Sequence, residues 1–126
     1  MDRRQILIVD DYPGALYMRS RILSDAGYEV LEATRGEEAL RIAIERHPSL
    51  VLLDVNLPDI SGTEVCERLK GDPSTADIRV IQITGAWVSE DARQRGLASG
   101  ADAYLTEPVD QVTLLRNVVN LLETPT

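Results

Sequence analysis

Apolar residues fall along the chain in two kinds of cluster, and the two kinds alternate. Gln5-Ile6-Leu7-Ile8-Val9 and Leu50-Val51-Leu52-Leu53 are unbroken apolar runs, too short for helices and bounded by polar or turn-forming residues. Such runs read as strands buried on both faces, as in a parallel sheet. Tyr28 to Ala33, Ile78 to Thr84 and Ala103 to Thr106 are shorter or less pure versions of the same pattern. Between them the apolar residues recur every three or four positions, the period of a helix with one buried face. Ala15, Met18, Ile22 and Ala26 form one such stripe, with Leu16 and Leu23 alongside. The others are Ala39, Leu40, Ala43 and Ile44, then Val65, Cys66 and Leu69, and finally Leu115, Val118, Val119 and Leu122. Ser89 to Ser99 reads as a weaker, polar helix with Gly96 inside it. Gly27, Pro48, Gly71 and Gly100 supply helix stops.

The order is therefore strand then helix, five times over. Regular alternation of this kind predicts an α/β fold with a parallel sheet, right-handed crossovers and helices on both faces. Residues 1–123 make one domain, and 124–126 read as a tail or the start of a linker.

Composition narrows the classes. The 126 residues are 44% apolar, ordinary for a globular protein with a proper core. No apolar run approaches the roughly 18 residues of a membrane span, and Met1 to Gln5 carries no cleavable signal pattern. A cytoplasmic location without membrane contact is expected. The formal charge of −8 repels phosphate backbones, so direct nucleic-acid binding by this domain is not expected. Cys66 is the only cysteine, which excludes an internal disulfide and reads as a small buried hydrophobe.

Chemistry gathers at the strand ends. In a parallel sheet all carboxyl ends lie along one edge, where ligands bind. That edge collects Asp10 and Asp11 after the first strand, Asp54 at the end of the third, Thr84 at the end of the fourth and Glu107 after the fifth. Carboxylates this close stay ionised together only with a cation among them. Hard oxygen ligands on a hydrated rim suit Mg²⁺, which would also screen Asp54 from an incoming phosphoryl group and leave it usable as a nucleophile. Single residues carry less. An aspartate after a strand often only caps the next helix, threonine is common in strands, and Tyr104 alone reads as partial core. His47 reads as surface, and Trp87 as packing against the neighbouring helix.

Taken together, Ile8-Val9-Asp10-Asp11, Leu52 to Pro58 with Ser61-Gly62, Ile83-Thr84-Gly85 and Gly100 to Val109 resemble the receiver domains of two-component response regulators in order and spacing. The resemblance spans nearly the whole chain. It implies the flavodoxin-like, doubly wound sheet with strand order 2-1-3-4-5. It implies that Asp54 is the phosphoacceptor, served by a histidine kinase or phosphotransfer protein. Asp10, Asp11, Asp54 and the backbone carbonyl of Asn56 would hold Mg²⁺, and Thr84 and Tyr104 would form the switch pair. It also implies a cis bond before Pro108, and an output face on the fourth helix, fifth strand and fifth helix for an effector domain, partner protein or second copy. Asn56 and Ala86 fall where such domains vary their dephosphorylation rate. No enzyme activity is implied beyond self-catalysed phosphotransfer and autodephosphorylation.

One residue departs from the family. Receivers usually carry lysine before the proline, and here it is Glu107. A like charge about 5 Å from the phosphoryl site costs roughly 3 kcal/mol at an effective dielectric near 20. No nearby arginine or lysine stands out as a replacement. Glu107 is expected either to turn toward the metal and its neighbouring carboxylates, or to point to solvent. The switch is thus expected to be weakened or altered. The alternative is a phosphorylation-independent pseudo-receiver acting through protein–protein or dimer contacts. A phosphatase of the haloacid-dehalogenase type also uses an aspartate after a buried strand, but it needs a second aspartate where this chain has Asn56.

Overall fold

The computed structural model describes residues 4–85 and 89–123. Ala86, Trp87 and the tail at 124–126 lie outside the described residues. Five strands and five helices alternate: β1 (Gln5–Val9), α1 (Pro13–Asp25), β2 (Glu29–Ala33), α2 (Gly36–Arg46), β3 (Leu50–Asp54), α3 (Gly62–Gly71), β4 (Arg79–Thr84), α4 (Glu90–Ala98), β5 (Ala103–Thr106) and α5 (Gln111–Glu123). The strands form one sheet in the order β2-β1-β3-β4-β5, and every neighbouring pair is parallel. This is the α/β, flavodoxin-like, doubly wound arrangement that the alternation and the resemblance predicted.

Successive residues of a strand point to opposite faces, so each central strand feeds two cores. Leu7 and Val9 of β1 and Val51 and Leu53 of β3 pack with Ala39, Leu40 and Ala43 of α2 and Val65, Cys66 and Leu69 of α3. Ile6, Ile8, Leu50 and Leu52 face the other way, against Leu23 of α1 and Leu114, Val118 and Leu122 of α5. Burial on both faces explains why these strands read as unbroken apolar runs.

Three helical stripes differ in detail from the sequence expectation. In α2 Ile44 is exposed, while Ala39, Leu40 and Ala43 are buried. In α5 the buried line is Leu114, Val118 and Leu122, with Leu115 partly covered and Val119 turned outward. Asp110 sets this register, its carboxylate accepting from the N–H of Thr113 at 2.7 Å just ahead of the helix. In α1 the fully buried residues are Arg19 and Leu23, and Met18 is 62% exposed. The helix is rotated so that an arginine, not a methionine, faces the sheet edge.

The fourth helix is attached differently from the rest. Gly96 is its only buried residue. A Cβ there would lie 2.3 Å from Cε2 of Tyr104, so the absence of a side chain lets the helix rest on that ring. Beneath it the amide of Gln82 donates to the hydroxyl of Ser99 at 3.0 Å, and that hydroxyl donates to the carbonyl of Gly96. A ring contact and a short polar run hold α4 where buried aliphatic side chains hold the other helices.

Candidate functional site

Asp10 follows β1 and Asp54 ends β3. The two strands are adjacent and in register, Val9 beside Leu53, so both carboxylates emerge at the same place on the sheet edge. With Asp11 they form a cluster in which one oxygen from each lies within 4.8 Å of the others.

Asp10 is the deepest of the three, only 1% exposed. Its Oδ1 accepts from the N–H of Tyr12 at 2.9 Å, and its Oδ2 accepts from Nη1 of Arg19 at 2.6 Å. Arg19 comes from the middle of α1 and is 8% exposed. Its other terminal nitrogen, Nη2, donates to the carboxylate of Glu107. One guanidinium therefore bridges an acid after β1 and an acid after β5. The planar fork of arginine makes this possible, since a lysine ammonium offers no such pair of diverging donors on a fixed plane.

This arrangement corrects two expectations. Glu107 is half-exposed, and its carboxylate pairs with Arg19 and not with the acid cluster. A cation does lie beside Glu107, contributed by α1 and not by the segment after β5. Glu107 is fixed from its backbone as well. Its N–H donates to the carbonyl of Thr84 at 2.8 Å, and the Glu107–Pro108 peptide is cis.

Asp54 sits at the boundary of core and solvent. Partial burial pushes its carboxyl up to about 6. The N–H of Asn56, 3.0 Å from Oδ1, pulls it back, Asp10 pushes it up, Arg19 draws it down and Asp11 adds a further push. The sign of the stability effect follows. A carboxyl raised in the folded state favours folding below its unfolded pKa, near 4, and that contribution is lost as pH rises through about 6. Removing the charge with Asp54→Asn is therefore expected to stabilise the metal-free protein near neutral pH. The gain should be about 1–2 kcal/mol, discounted for the half of the group that faces water, and it should vanish below about pH 4. Urea denaturation with EDTA at two pH values measures it; equal gains at both would contradict this origin.

The loop after Asp54 is tightly held. The N–H of Gly62 donates to the carbonyl of Val55 at 2.8 Å, and Ser61 caps α3 by accepting from the N–H of Glu64 at 3.1 Å. A Cβ on Gly62 would stand 2.5 Å from the carbonyl oxygen of Asp54. Only glycine lets α3 begin this close to the strand end. Asp59 in the same loop accepts from the N–H groups of Gly36 and Glu37 at 2.8 and 2.9 Å, capping α2. The N–H of Glu37, with that of Gly36 adding to it, holds its carboxyl down to about 2.

Thr84 ends β4 beside Asp54 and is buried. Tyr104 is half-buried against Gly96 of α4. His47 is exposed, with Nε2 2.9 Å from the carboxylate of Asp77. Cys66 is buried, and burial raises its thiol pKa. These two match their sequence readings as surface and core.

Above Asp54 lies an open cavity of about 430 Å³, walled by Arg19, Glu107, Met18, Pro108 and Val109. Asp54 is among its lining residues, so the carboxylate is open to this cavity. The donor set also fits a divalent ion. Three carboxylates with hard oxygens converge, one or two of which suffice for Mg²⁺ with its waters. Arg19 pairs with two carboxylates, Asp10 and Glu107, and Asp11 and Asp54 cluster with Asp10, so one cation meets four acids without such an ion.

Among the described residues no helix is long and apolar enough to cross a membrane. A family model described as the response regulator receiver domain matches residues 6–119. The chain is 42% identical over 94% of its length to the DNA-binding dual master transcriptional regulator RpaA of Synechocystis, and spans 48% of that protein. It is 36% identical over 90% of its length to Protein PilH of Pseudomonas aeruginosa, of which it covers 93%. A CheY-like receiver domain protein from Methanospirillum hungatei superimposes with a TM-score of 0.90 at 33% identity, covering 97% of this chain and 95% of that one.

Proposed function

The chain belongs to the response regulator receiver domain family of two-component systems, and on that premise we propose that Asp54 accepts a phosphoryl group with Mg²⁺ bound beside it. Asp10, Asp11, Asp54 and the backbone carbonyl of Asn56 would hold the ion. The observation that carries this reading is the convergence of three aspartate oxygens within 4.8 Å at the ends of β1 and β3. Receiver domains are signalling domains, and no turnover is assigned here beyond self-catalysed phosphotransfer and hydrolysis of the phosphoaspartate.

In the transfer an oxygen of the Asp54 carboxylate attacks phosphorus. The bond from phosphorus to the donor breaks, and the donor leaves with the electron pair. The ion, when bound, supplies positive charge against the phosphoryl oxygens. Thr84 offers its hydroxyl to one of those oxygens from the neighbouring strand end. Tyr104, resting on Gly96, is the residue whose position then reports on Thr84 to the α4, β5 and α5 face. A histidine kinase or phosphotransfer protein is the donor. An effector domain, a partner protein or a second copy reads the output face. RpaA is described as DNA-binding, and this chain spans about half its length; with a net charge of −8 the receiver itself makes no direct contact with nucleic acid. Residues 1–123 form the receiver unit, in a cytoplasmic protein.

Acetyl phosphate with Mg²⁺ tests the proposal. Intact-mass spectrometry is expected to record one phosphoryl group, absent in Asp54→Asn and absent with EDTA. An unmodified protein that still folds and binds Mg²⁺ would overturn it. That outcome favours the second reading, a phosphorylation-independent interaction module, for which the observation is that Arg19 is already paired with both Asp10 and Glu107.

A further inference from the structure

The Asp10–Arg19–Glu107 bridge holds a nearly buried cation at the wall of the cavity that leads to Asp54. Burying an arginine to this depth is costly unless its partners and its position serve it. The half-exposed Glu107 is a poor reason by itself, because exposed ion pairs contribute little. Its geometric effect is larger. It ties the second terminal nitrogen of the guanidinium to the wall of the cavity that Arg19, Glu107 and Asp54 share.

We propose that Arg19 is the cation that binds the phosphoryl group on Asp54, and that Glu107 is a positioning residue for Arg19. The position where the resemblance expects lysine thus carries the holder of the cation, and the cation itself arrives from α1. The inference rests on the phosphoacceptor reading of Asp54. Charge supports it. Four carboxylates and a divalent ion leave two negative charges, and Arg19 removes one of them. Arg19 and Asp54 also line the same cavity. With acetyl phosphate the step is balanced. An Asp54 oxygen bonds to phosphorus, the phosphorus–oxygen bond to the acetyl group breaks, and acetate leaves with the electron pair and no proton moves. Arg19 stays charged throughout, donating to a phosphoryl oxygen as that oxygen comes within reach.

A double-mutant cycle in full-length chains tests this, with rates of phosphorylation by acetyl phosphate at saturating Mg²⁺. Arg19→Met is expected to slow the wild type on the order of a hundredfold, as loss of one preorganised donor to a transferring group does. In a Glu107→Lys background, which supplies a cation from the other side, the same change should slow it by no more than about threefold. Mg²⁺ affinity, measured separately by titration, should be unchanged or tighter in Arg19→Met. The arginine side-chain N–H signal missing from Arg19→Met should shift in the wild type on adding beryllofluoride with Mg²⁺. An equal loss in both backgrounds, or a loss that tracks weakened Mg²⁺ binding, overturns the proposal, because Arg19 then only supports Asp10. If Arg19→Met fails to fold, the double variant Arg19→Met/Glu107→Lys decides alone: a rate within about tenfold of wild type supports the proposal and a slower one overturns it. A wild type that is not phosphorylated at all refutes this inference together with the phosphoacceptor reading. A phosphorylated wild type with an indifferent Arg19→Met refutes the inference alone.

Discussion

Arg19→Met is expected to lower the stability of the metal-free protein by about 2–4 kcal/mol near pH 7.5. The loss comes chiefly from Asp10. Its carboxylate is almost wholly removed from water, and without Arg19 it keeps the N–H of Tyr12 as its only partner among the hydrogen bonds described. A buried charge stripped of its counter-charge costs far more than the pair contributed when whole. Glu107 adds little, being half-exposed and free to turn to water. Saturating Mg²⁺ should restore part of the loss, since an ion that binds only the folded chain stabilises it by mass action. Chemical denaturation with EDTA and then with Mg²⁺ measures both. An unchanged midpoint without metal would mean that Asp10 is not sustained by this arginine.

The second large effect concerns the loop behind the acceptor. Gly62→Val should destabilise the fold by about 2–4 kcal/mol and weaken Mg²⁺ binding in the same variant. A Cβ at position 62 would meet the carbonyl oxygen of Asp54 at 2.5 Å and Cα of Val55 at 2.8 Å. Both are backbone atoms of the strand end, so no side chain can swing away to make room. The first turn of α3 must back off, and the hydrogen bond from Gly62 to Val55 goes with it. Because Asp54 lies at the point of contact, the damage should register as loss of metal affinity as well as a lower denaturation midpoint. Full Mg²⁺ affinity in a destabilised Gly62→Val would separate the loop from the site.

Much of this was legible in the chain itself, and the reasons are physical. Four consecutive apolar residues ending in Asp54 admit few readings other than a strand buried on both faces with a carboxylate at its rim. The same holds for Ile6 to Val9 and Asp10, and the alternation of elements fixes where those ends meet. Arg19 was not legible by the same rule. Apolar periodicity assigns charged residues to the outside, and Met18 beside it drew the α1 stripe one position away. What buries Arg19 is long-range: Asp10 lies nine residues before it and Glu107 eighty-eight after it. The available signal was a mismatch, an excess of acid at one sheet edge without its expected lysine. Such an excess calls for a cation from somewhere in the chain. The α5 stripe was displaced for a local reason, the start set by Asp110, which a count of apolar residues does not detect.

Because α4 places only Gly96 in the interior, neither apolar core includes one of its side chains. Its footing is a glycine on a tyrosine ring and a short run of hydroxyl and amide groups. Those contacts are directional and few, so a turn of the ring is expected to shift this helix before any other. The acids thus rise from strands buried on both faces, while the helix beside the tyrosine ring is the one that gives the interior least.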